Sequence, residues 1–132
     1  MSLKVHQYTI MCASTPSQYA AIEAVNNGDR DIEEMFLSFK QRRNYIVKEL
    51  NRIGLTTHMP QGAFYVFPSI RISGLKCEEF CEKLLGEENP ALVPGNAFGQ
   101  AGEGYVRISY AYSMEEIKKA IEKLEHFLQQ YR

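Results

Sequence analysis

The segment GYVRISYAYSMEE, residues 104–116, contains both structural periods from which the fold can be predicted. Side chains of opposite character alternate over residues 105–111, as in a strand with one buried face. Ser113 and Glu116 then have the spacing of a capping box, which marks the first turn of a helix. The segment therefore predicts a strand that is followed directly by a helix over residues 114–130.

The residues before this segment predict further short strands and helices. Short β-prone stretches between Gly and Pro turns predict strands over residues 55–58, 63–67 and 91–93. Apolar periodicity and helix start and stop residues predict helices over residues 16–26, 29–53 and 76–86, with Gly86 ending the last one. Aromatic residues on both faces of 63–67 predict that neither face is wet. Residues 4–12 have no clear period and are interpreted as extended or irregular.

The helix predicted over residues 29–53 is the longest, and it decides the architecture. Its apolar residues recur every three, four or seven positions and form a single stripe. About 24 helical residues span about 36 Å, which exceeds the core of a small domain. We therefore expect an α/β (α+β) fold, in which a small three- to four-stranded sheet has helices packed on one face and is preceded by this long helix.

Composition excludes several classes of protein. The chain has 132 residues, one domain's length, and a formal net charge of −1, whereas a module that binds nucleic acid through charge has a basic excess. No apolar run approaches the ~20 residues of a membrane span. Three cysteines are too few for a disulfide framework and predict reduced thiols in a cytoplasmic protein.

Arg107 is the main candidate for a functional residue. It lies in the middle of a short apolar strand, where a buried guanidinium needs an anionic partner or water. One interpretation is a site that grips a carboxylate bidentately, which lysine cannot do. The other is a half-exposed arginine paired with a nearby glutamate. The strand by itself leaves both interpretations open.

No other pattern in the chain predicts catalysis, a metal site or a bound nucleotide. The loop 94–104 has four glycines and leads into a strand, whereas phosphate-binding loops of nucleotide sites lead into a helix. A tight connection that lies close to other backbone is the better interpretation of this loop. Cys77 and Cys81 have no further ligand at a suitable spacing, so packed thiols are the better interpretation. We therefore predict no catalytic residue, no cofactor-binding residue and no metal ligand in this chain.

Three motifs, taken in order, resemble the C-terminal end of class I and II aminotransferases, which are pyridoxal-phosphate enzymes of fold type I. They are GAFYVFP at 62–68, VPGNAFG at 93–99 and GYVRISYA at 104–111. VHQYTIMC at 5–12 and QYAAIEA at 18–24 are similar to the segment that closes the large domain in these enzymes and enters a long interdomain helix. The nearest resemblance is to bacterial aspartate and aromatic aminotransferases.

The resemblance implies how the chain is divided. Residues 4–28 correspond to the tail of the large domain that binds pyridoxal phosphate, and residues 29–132 to the small domain that closes over the substrate. Residues 1–3 carry no pattern and are interpreted as a cloning remnant.

The resemblance also implies the roles of three residues. In this family the arginine of the RISYA type of strand binds the α-carboxylate of the substrate, which corresponds to Arg107. Gly62 is expected to shape the edge that faces the substrate, and Tyr8 to lie close to the dimer interface and the mouth of the active site.

The family's chemistry needs a lysine that forms a Schiff base with pyridoxal phosphate, in a Ser-x-x-Lys-like context. No lysine of this sequence has that context; the lysines are Lys4, Lys40, Lys48, Lys76, Lys83, Lys118, Lys119 and Lys123. The full-length homodimeric enzyme is expected to bind pyridoxal phosphate and to transfer an amino group between an amino acid and a 2-oxo acid. This chain alone is expected to bind no cofactor and to be inactive, without nucleic-acid or membrane partners.

Two alternatives remain at this stage. One is a non-catalytic module that binds a small carboxylate through Arg107. The other is a dimerisation module, which would use the apolar side chains of residues 4–12 and 16–26.

Overall fold

The computed structural model describes residues 2–131, which form five α-helices and three short strands. The helices are α1 (Ser2–Ile10), α2 (Thr15–Asn27), α3 (Asp29–Arg52), α4 (Cys77–Glu88) and α5 (Met114–Gln129). The strands are β1 (Tyr65–Val66), β2 (Val93–Pro94) and β3 (Val106–Ser109). The chain divides into two compact units, one that extends to Leu37 and one that begins at Ser38. None of the described helices is both long and apolar enough to cross a membrane.

The first unit contains α1, α2 and the first turns of α3, and it exposes its apolar side chains. α2 begins with Pro16 in its first turn, as the sequence predicts, and buries none of its residues. Tyr8, Tyr19 and Val25 are all more than two thirds exposed. The helices of this unit are therefore stabilised by their own backbone hydrogen bonds.

The interpretation of residues 4–12 as extended or irregular is wrong for most of this stretch, because Ser2–Ile10 form α1. The described part of the first unit contains no strand with which this segment could pair. Without a neighbouring strand, its backbone N–H and C=O groups form hydrogen bonds within the segment itself, as they do in a helix. The Thr9 hydroxyl adds a 2.8 Å hydrogen bond to the Val5 carbonyl one turn earlier.

The second unit is built on a three-stranded antiparallel sheet in the order β1-β3-β2. Tyr65 of β1 pairs with Ser109 of β3, and Val93 of β2 pairs with Arg107 on the other side. The predicted α/β class, with a small sheet and helices on one face, is confirmed. β3 is the central strand, so its position depends on both neighbours.

The core of the second unit joins one face of the sheet to three helices. Val66, Val106 and Ile108 are the strand residues on this face, and all three are buried. They belong to one apolar cluster with residues of α3, α4 and α5, which include Ile46, Val47, Leu50, Phe80, Leu84, Ile117, Ile121, Leu124, Phe127 and Leu128. The Ser113 hydroxyl accepts a 3.2 Å hydrogen bond from the Glu116 N–H, which confirms the predicted start of α5.

The strand predicted over residues 55–58 does not form. The side chain of Asn51 satisfies both backbone polar groups of Thr57. Its amide donates to the Thr57 carbonyl, and its oxygen accepts from the Thr57 N–H at 3.0 Å. The segment thereby has no regular secondary structure and is held against the end of α3. A side chain that satisfies backbone groups in this way competes with strand pairing.

The strand predicted over residues 63–67 is shorter than expected, and its outer face is partly wet. Ala63 has a φ of 58°, which is incompatible with a strand. The buried Tyr110 hydroxyl donates a 2.6 Å hydrogen bond to the Ala63 carbonyl and holds this turn. Phe64 and Phe67 are each 41% exposed, so the prediction that neither face is wet is wrong.

Gly86 does not end α4, which continues to Glu88 and ends at Asn89 with a φ of 71°. The last turn is stabilised by contacts with α5. The Glu88 carboxylate bonds to the His126 ring, and the Glu88 carbonyl accepts from Lys123 at 2.6 Å. These tertiary contacts outweigh the low helix propensity of glycine, which costs about 1 kcal/mol.

We expect Leu50→Ala to lower the free energy of unfolding by about 2–5 kcal/mol, because Leu50 is fully buried between α3 and its neighbours. The matched control is Leu37→Ala on the same helix, where the side chain is 51% exposed and the expected loss is within about 0.5 kcal/mol. Urea denaturation followed by circular dichroism measures both. Equal losses at the two positions would contradict the assignment of the core.

Candidate functional site

The candidate site is the face of β3 that points away from the core, and Arg107 is its central residue. Along β3, Val106 and Ile108 are buried, whereas Arg107 and Ser109 are partly exposed. This alternation is the two-residue period of a strand, and it directs the Arg107 side chain away from the apolar cluster. The sequence predicted this division between the two faces.

Two aromatic rings contact the Arg107 guanidinium. Its central carbon lies 4.4 Å from the centre of the Tyr65 ring and 4.7 Å from the centre of the Phe98 ring. Tyr65 comes from the neighbouring strand β1, where it pairs with Ser109, and Phe98 comes from the glycine-rich loop. Both distances are within the range of a cation–π interaction, which is worth about 0.5–1 kcal/mol at exposed sites.

Among the described residues 2–131, the Arg107 side chain has no carboxylate partner and donates no hydrogen bond. This finding disagrees with the alternative in which a local glutamate pairs with it. The carboxylate of Glu116, which lies nearby, instead accepts from Lys119 at 2.8 Å. Because this side chain donates no hydrogen bond within the described residues, its N–H groups remain available to a ligand.

A cavity of about 360 Å³ opens beside Arg107. Polar groups from Tyr65, Arg107, Ser109 and Tyr112 lie on its wall together with Glu116. Asn89 also lines the cavity, and the rest of the wall is apolar, formed by Ile46, Pro90, Ala91, Leu92, Val93, Ile117, Ala120 and Ile121. The cavity thus combines one unpaired cation with a largely apolar surface, which is typical of sites for small molecules.

The glycine-rich loop is compact because its two ends touch through glycine. Short 3₁₀ turns at Gly95–Phe98 and Gln100–Gly102 fold the loop back on itself. A Cβ atom at Gly95 would overlap the Gly102 and Tyr105 carbonyl oxygens, and one at Gly102 would overlap the Gly95 carbonyl. The loop therefore serves as a tight backbone connection, as the sequence analysis favoured over nucleotide binding.

Three hydrogen bonds attach this loop to the first turn of α4. The Glu103 carboxylate accepts from the Cys77 N–H at 3.0 Å and from the Cys77 thiol at 3.2 Å. The Asn96 amide donates to the Glu78 carboxylate at 3.0 Å. The backbone bond from Cys77, followed by the thiol bond, lowers the pKa of Glu103 below its usual range. A carboxylate at this position also suits the positive end of the helix dipole.

The structure places the other two predicted site residues in different units. Gly62 lies in the exposed turn before β1, three positions before Tyr65, with nothing within 4 Å of where a side chain would begin. It does not line the cavity beside Arg107. Tyr8 lies on α1 in the first unit and is 87% exposed. The substrate roles of Gly62 and Tyr8 stay predictions.

The thiols and histidines do not form a reactive cluster. Burial raises the pKa of the Cys81 thiol to about 11, which disfavours the thiolate that a nucleophile or metal ligand requires. Within residues 2–131, no group of three His, Cys, Asp or Glu side chains could hold a metal ion.

The described residues do not fit pyridoxal phosphate. A Schiff base needs a lysine within reach of the substrate, and none of the residues that line the cavity beside Arg107 is a lysine. Lys83 and Lys119 instead pair with glutamates on their own helices, and Lys123 donates to a backbone carbonyl.

Sequence analysis missed Phe98 and Glu103 as site residues. Both belong to a loop whose shape depends on tertiary contacts. The motif at 93–99 contains Phe98, but neither that motif nor periodicity shows which side chain the ring contacts. The available signal was the four glycines of residues 94–104, which predicted a loop in close contact with other backbone.

Comparison with known proteins gives consistent matches. Residues 4–124 match the family model described as aminotransferase class I and II. The chain is 50% identical to a putative aminotransferase, YugH, of Bacillus subtilis over 96% of this chain and 33% of that protein. It is 44% identical to an aspartate aminotransferase of Pyrococcus abyssi over 97% of this chain and 33% of that protein.

The fold is also found in solved structures. An aromatic aminotransferase from Pyrococcus horikoshii matches with a TM-score of 0.91 and 45% identity, over 96% of this chain and 34% of that one. The chain therefore spans about a third of the length of the relatives that it matches.

We expect Glu103→Gln to lower the urea midpoint at pH 7, because the neutral amide accepts more weakly from the Cys77 N–H and thiol. A folded-state pKa below the unfolded value means that the carboxylate stabilises the fold above about pH 4.3. That contribution is lost as the pH falls through the lowered folded-state value. The difference between the parent chain and the variant should therefore shrink on acidification. Glu33→Gln, an exposed charge removal on α3, is the control, and an equal pH dependence in both variants would contradict the prediction.

Proposed function

Because this chain belongs to the family of class I and II aminotransferases, we propose that it is the C-terminal small domain of a longer aminotransferase that depends on pyridoxal phosphate. The whole enzyme exchanges an amino group between an amino acid and a 2-oxo acid. In this proposal residues 29–132 form the domain that closes over the substrate, and residues 4–28 form the tail of the large domain.

The observation that carries the proposal is the unpaired Arg107 guanidinium beside the cavity. A cation that is half buried in an apolar setting without an internal anion favours an anion from outside. A guanidinium edge offers two parallel N–H groups, which match the two oxygens of a carboxylate. These properties support the α-carboxylate of the substrate as the ligand of Arg107.

Arg107 then acts by position and charge. A bidentate contact fixes the carboxylate in both place and plane, which limits the rotation of the substrate about its Cα–carboxylate bond. The rings of Tyr65 and Phe98 lie against the guanidinium and reduce its contact with water. Because the guanidinium is then less hydrated, its attraction to the carboxylate of the substrate is stronger.

Pyridoxal phosphate supplies the electron sink for amino-group transfer in such enzymes. In the proposed enzyme the residues that hold it lie in the part of the protein outside this chain. The contribution of this chain is confined to binding and orienting the substrate and to excluding water from it.

We further propose that the longer enzyme is a cytoplasmic homodimer. The exposed apolar side chains of α1 and α2 support a covered surface in the complete protein. Relatives of similar identity are named for different substrates, aspartate and aromatic amino acids among them, so we leave the side-chain class of the substrate open.

We expect Arg107→Lys in the longer enzyme to raise the KM for the amino donor and to lower kcat/KM about 10- to 100-fold. Lysine keeps the charge but loses the bidentate geometry, and a hydrogen bond to a charged group is worth about 1.5–3 kcal/mol. Steady-state kinetics with aspartate, alanine and phenylalanine as donors measure the effect.

The matched control is Arg71→Lys, an arginine that also stacks on a ring, with its guanidinium 5.4 Å from the centre of Tyr105. Its kcat/KM should stay within about twofold of the parent value. An unchanged KM in Arg107→Lys would refute the proposed role of Arg107.

The 132-residue chain alone should form no reducible adduct with pyridoxal phosphate at a defined lysine. We expect titration to show no saturable aldimine absorbance, and mass spectrometry after borohydride reduction to show no stoichiometric modification. A single modified lysine together with turnover of an amino acid would overturn the assignment of the chain as a substrate-binding part.

A further inference from the structure

We propose that Phe98 is a positioning residue for Arg107, which holds the guanidinium against Tyr65 so that its N–H edge faces the carboxylate of the substrate. This inference rests on the proposed role of Arg107 and adds a specific function for the glycine-rich loop. Phe98 acts through Arg107 and is not itself a catalytic residue.

The contacts of Phe98 support this role. Its ring lies 4.7 Å from the Arg107 guanidinium, while its other neighbour is Phe67, whose ring centre is 5.6 Å away at an angle of 78°. Phe98 is nevertheless 52% exposed, so it contributes little to the core. An aromatic side chain that is half exposed and stacked on an arginine is better explained by its effect on that arginine than by burial.

The second ring makes the geometry specific. Tyr65 lies 4.4 Å from the guanidinium and belongs to the sheet, so its position is set by the pairing of β1 with β3. With one ring from the sheet and one from the loop, the guanidinium plane has two aromatic contacts. A long arginine side chain otherwise loses rotamer freedom when a ligand fixes it. If the two rings already restrict the Arg107 side chain before the substrate binds, less rotamer freedom is lost on binding.

The loop that carries Phe98 is held independently of Arg107. The Gly95–Gly102 approach closes the loop, and the Glu103 and Asn96 hydrogen bonds attach it to α4. Phe98 lies between these attachments, at the end of the first 3₁₀ turn. The stacking position is therefore built into the domain and does not require the substrate.

The test compares Phe98→Leu, which removes the ring, with Phe98→Tyr, which keeps it, in the longer enzyme. Phe98→Leu should raise the KM for amino donors about 3- to 10-fold, with kcat within about twofold, because the loss is in the orientation of the bound carboxylate. Phe98→Tyr should restore the KM to within about twofold of the parent value. The donors are aspartate, alanine and phenylalanine. The control is Tyr131→Leu, a ring removal at a position that contacts Phe127 and Lys83 and neither Arg107 nor Tyr65.

A double variant separates this inference from the proposed function. If Phe98 acts through Arg107, Phe98→Leu should add no further increase in KM to Arg107→Ala. An increase with Arg107→Lys but none with Phe98→Leu would overturn the role of Phe98 and leave the function intact. No increase with Arg107→Lys would overturn the proposed function and, with it, this inference.

A measurement on the 132-residue chain tests the stacking without any activity. Ring currents from two aromatic faces should shift the Arg107 Nε–H proton upfield of the other arginine side chains in a nuclear magnetic resonance spectrum. Phe98→Leu should move this resonance towards the ordinary position, and Phe98→Tyr should not. An unchanged resonance in Phe98→Leu would overturn the proposed stacking.

Discussion

The two-residue alternation of β3 is the constraint on which the rest of the second unit depends. Val106 and Ile108 can enter the apolar cluster only if Arg107 points to the opposite face, and this requirement is met in a strand of four residues. A shift of the register by one residue would bury the guanidinium and expose both apolar side chains. The alternation of side chains along β3 thus determines both the packing of the core and the direction of the Arg107 side chain.

The elements around β3 maintain this register from both sides. β1 and β2 pair with it in antiparallel orientation, and α3 and α5 cover its buried face. Arg52 at the end of α3 forms a bidentate contact with Glu125 of α5 at 2.7 and 2.8 Å. This pair is half exposed and adds little energy, although its two-point geometry is satisfied in only one relative position of the two helices. The apolar residues supply most of the stability of the fold. The polar contacts favour one arrangement of its helices and strands.

Local patterns predicted the parts of the structure that local chemistry determines. β3, α5 and the long α3 follow from alternation, a capping serine and an apolar stripe, and Arg107 follows from its place in that alternation. α4 extends beyond Gly86, and Asn51 replaces a predicted strand, because contacts distant in sequence outweigh local propensity. The aromatic partners of Arg107 could not be predicted together, since Tyr65 and Phe98 become neighbours only after the sheet and loop have folded. The resemblance to aminotransferases identified the family, but the unpaired state of the arginine came from the structure.

The contact between Gly95 and Gly102 has a consequence for protein engineering. Neither position has room for a Cβ atom, so even alanine would force the two ends of the loop apart. Ala97 and Gln100 lie between them and are exposed, and neither lines the cavity beside Arg107. The loop thus combines fixed ends with replaceable outer positions. A cysteine introduced at Ala97 or Gln100 offers an attachment point for a fluorescent label that reports on the loop from outside the cavity.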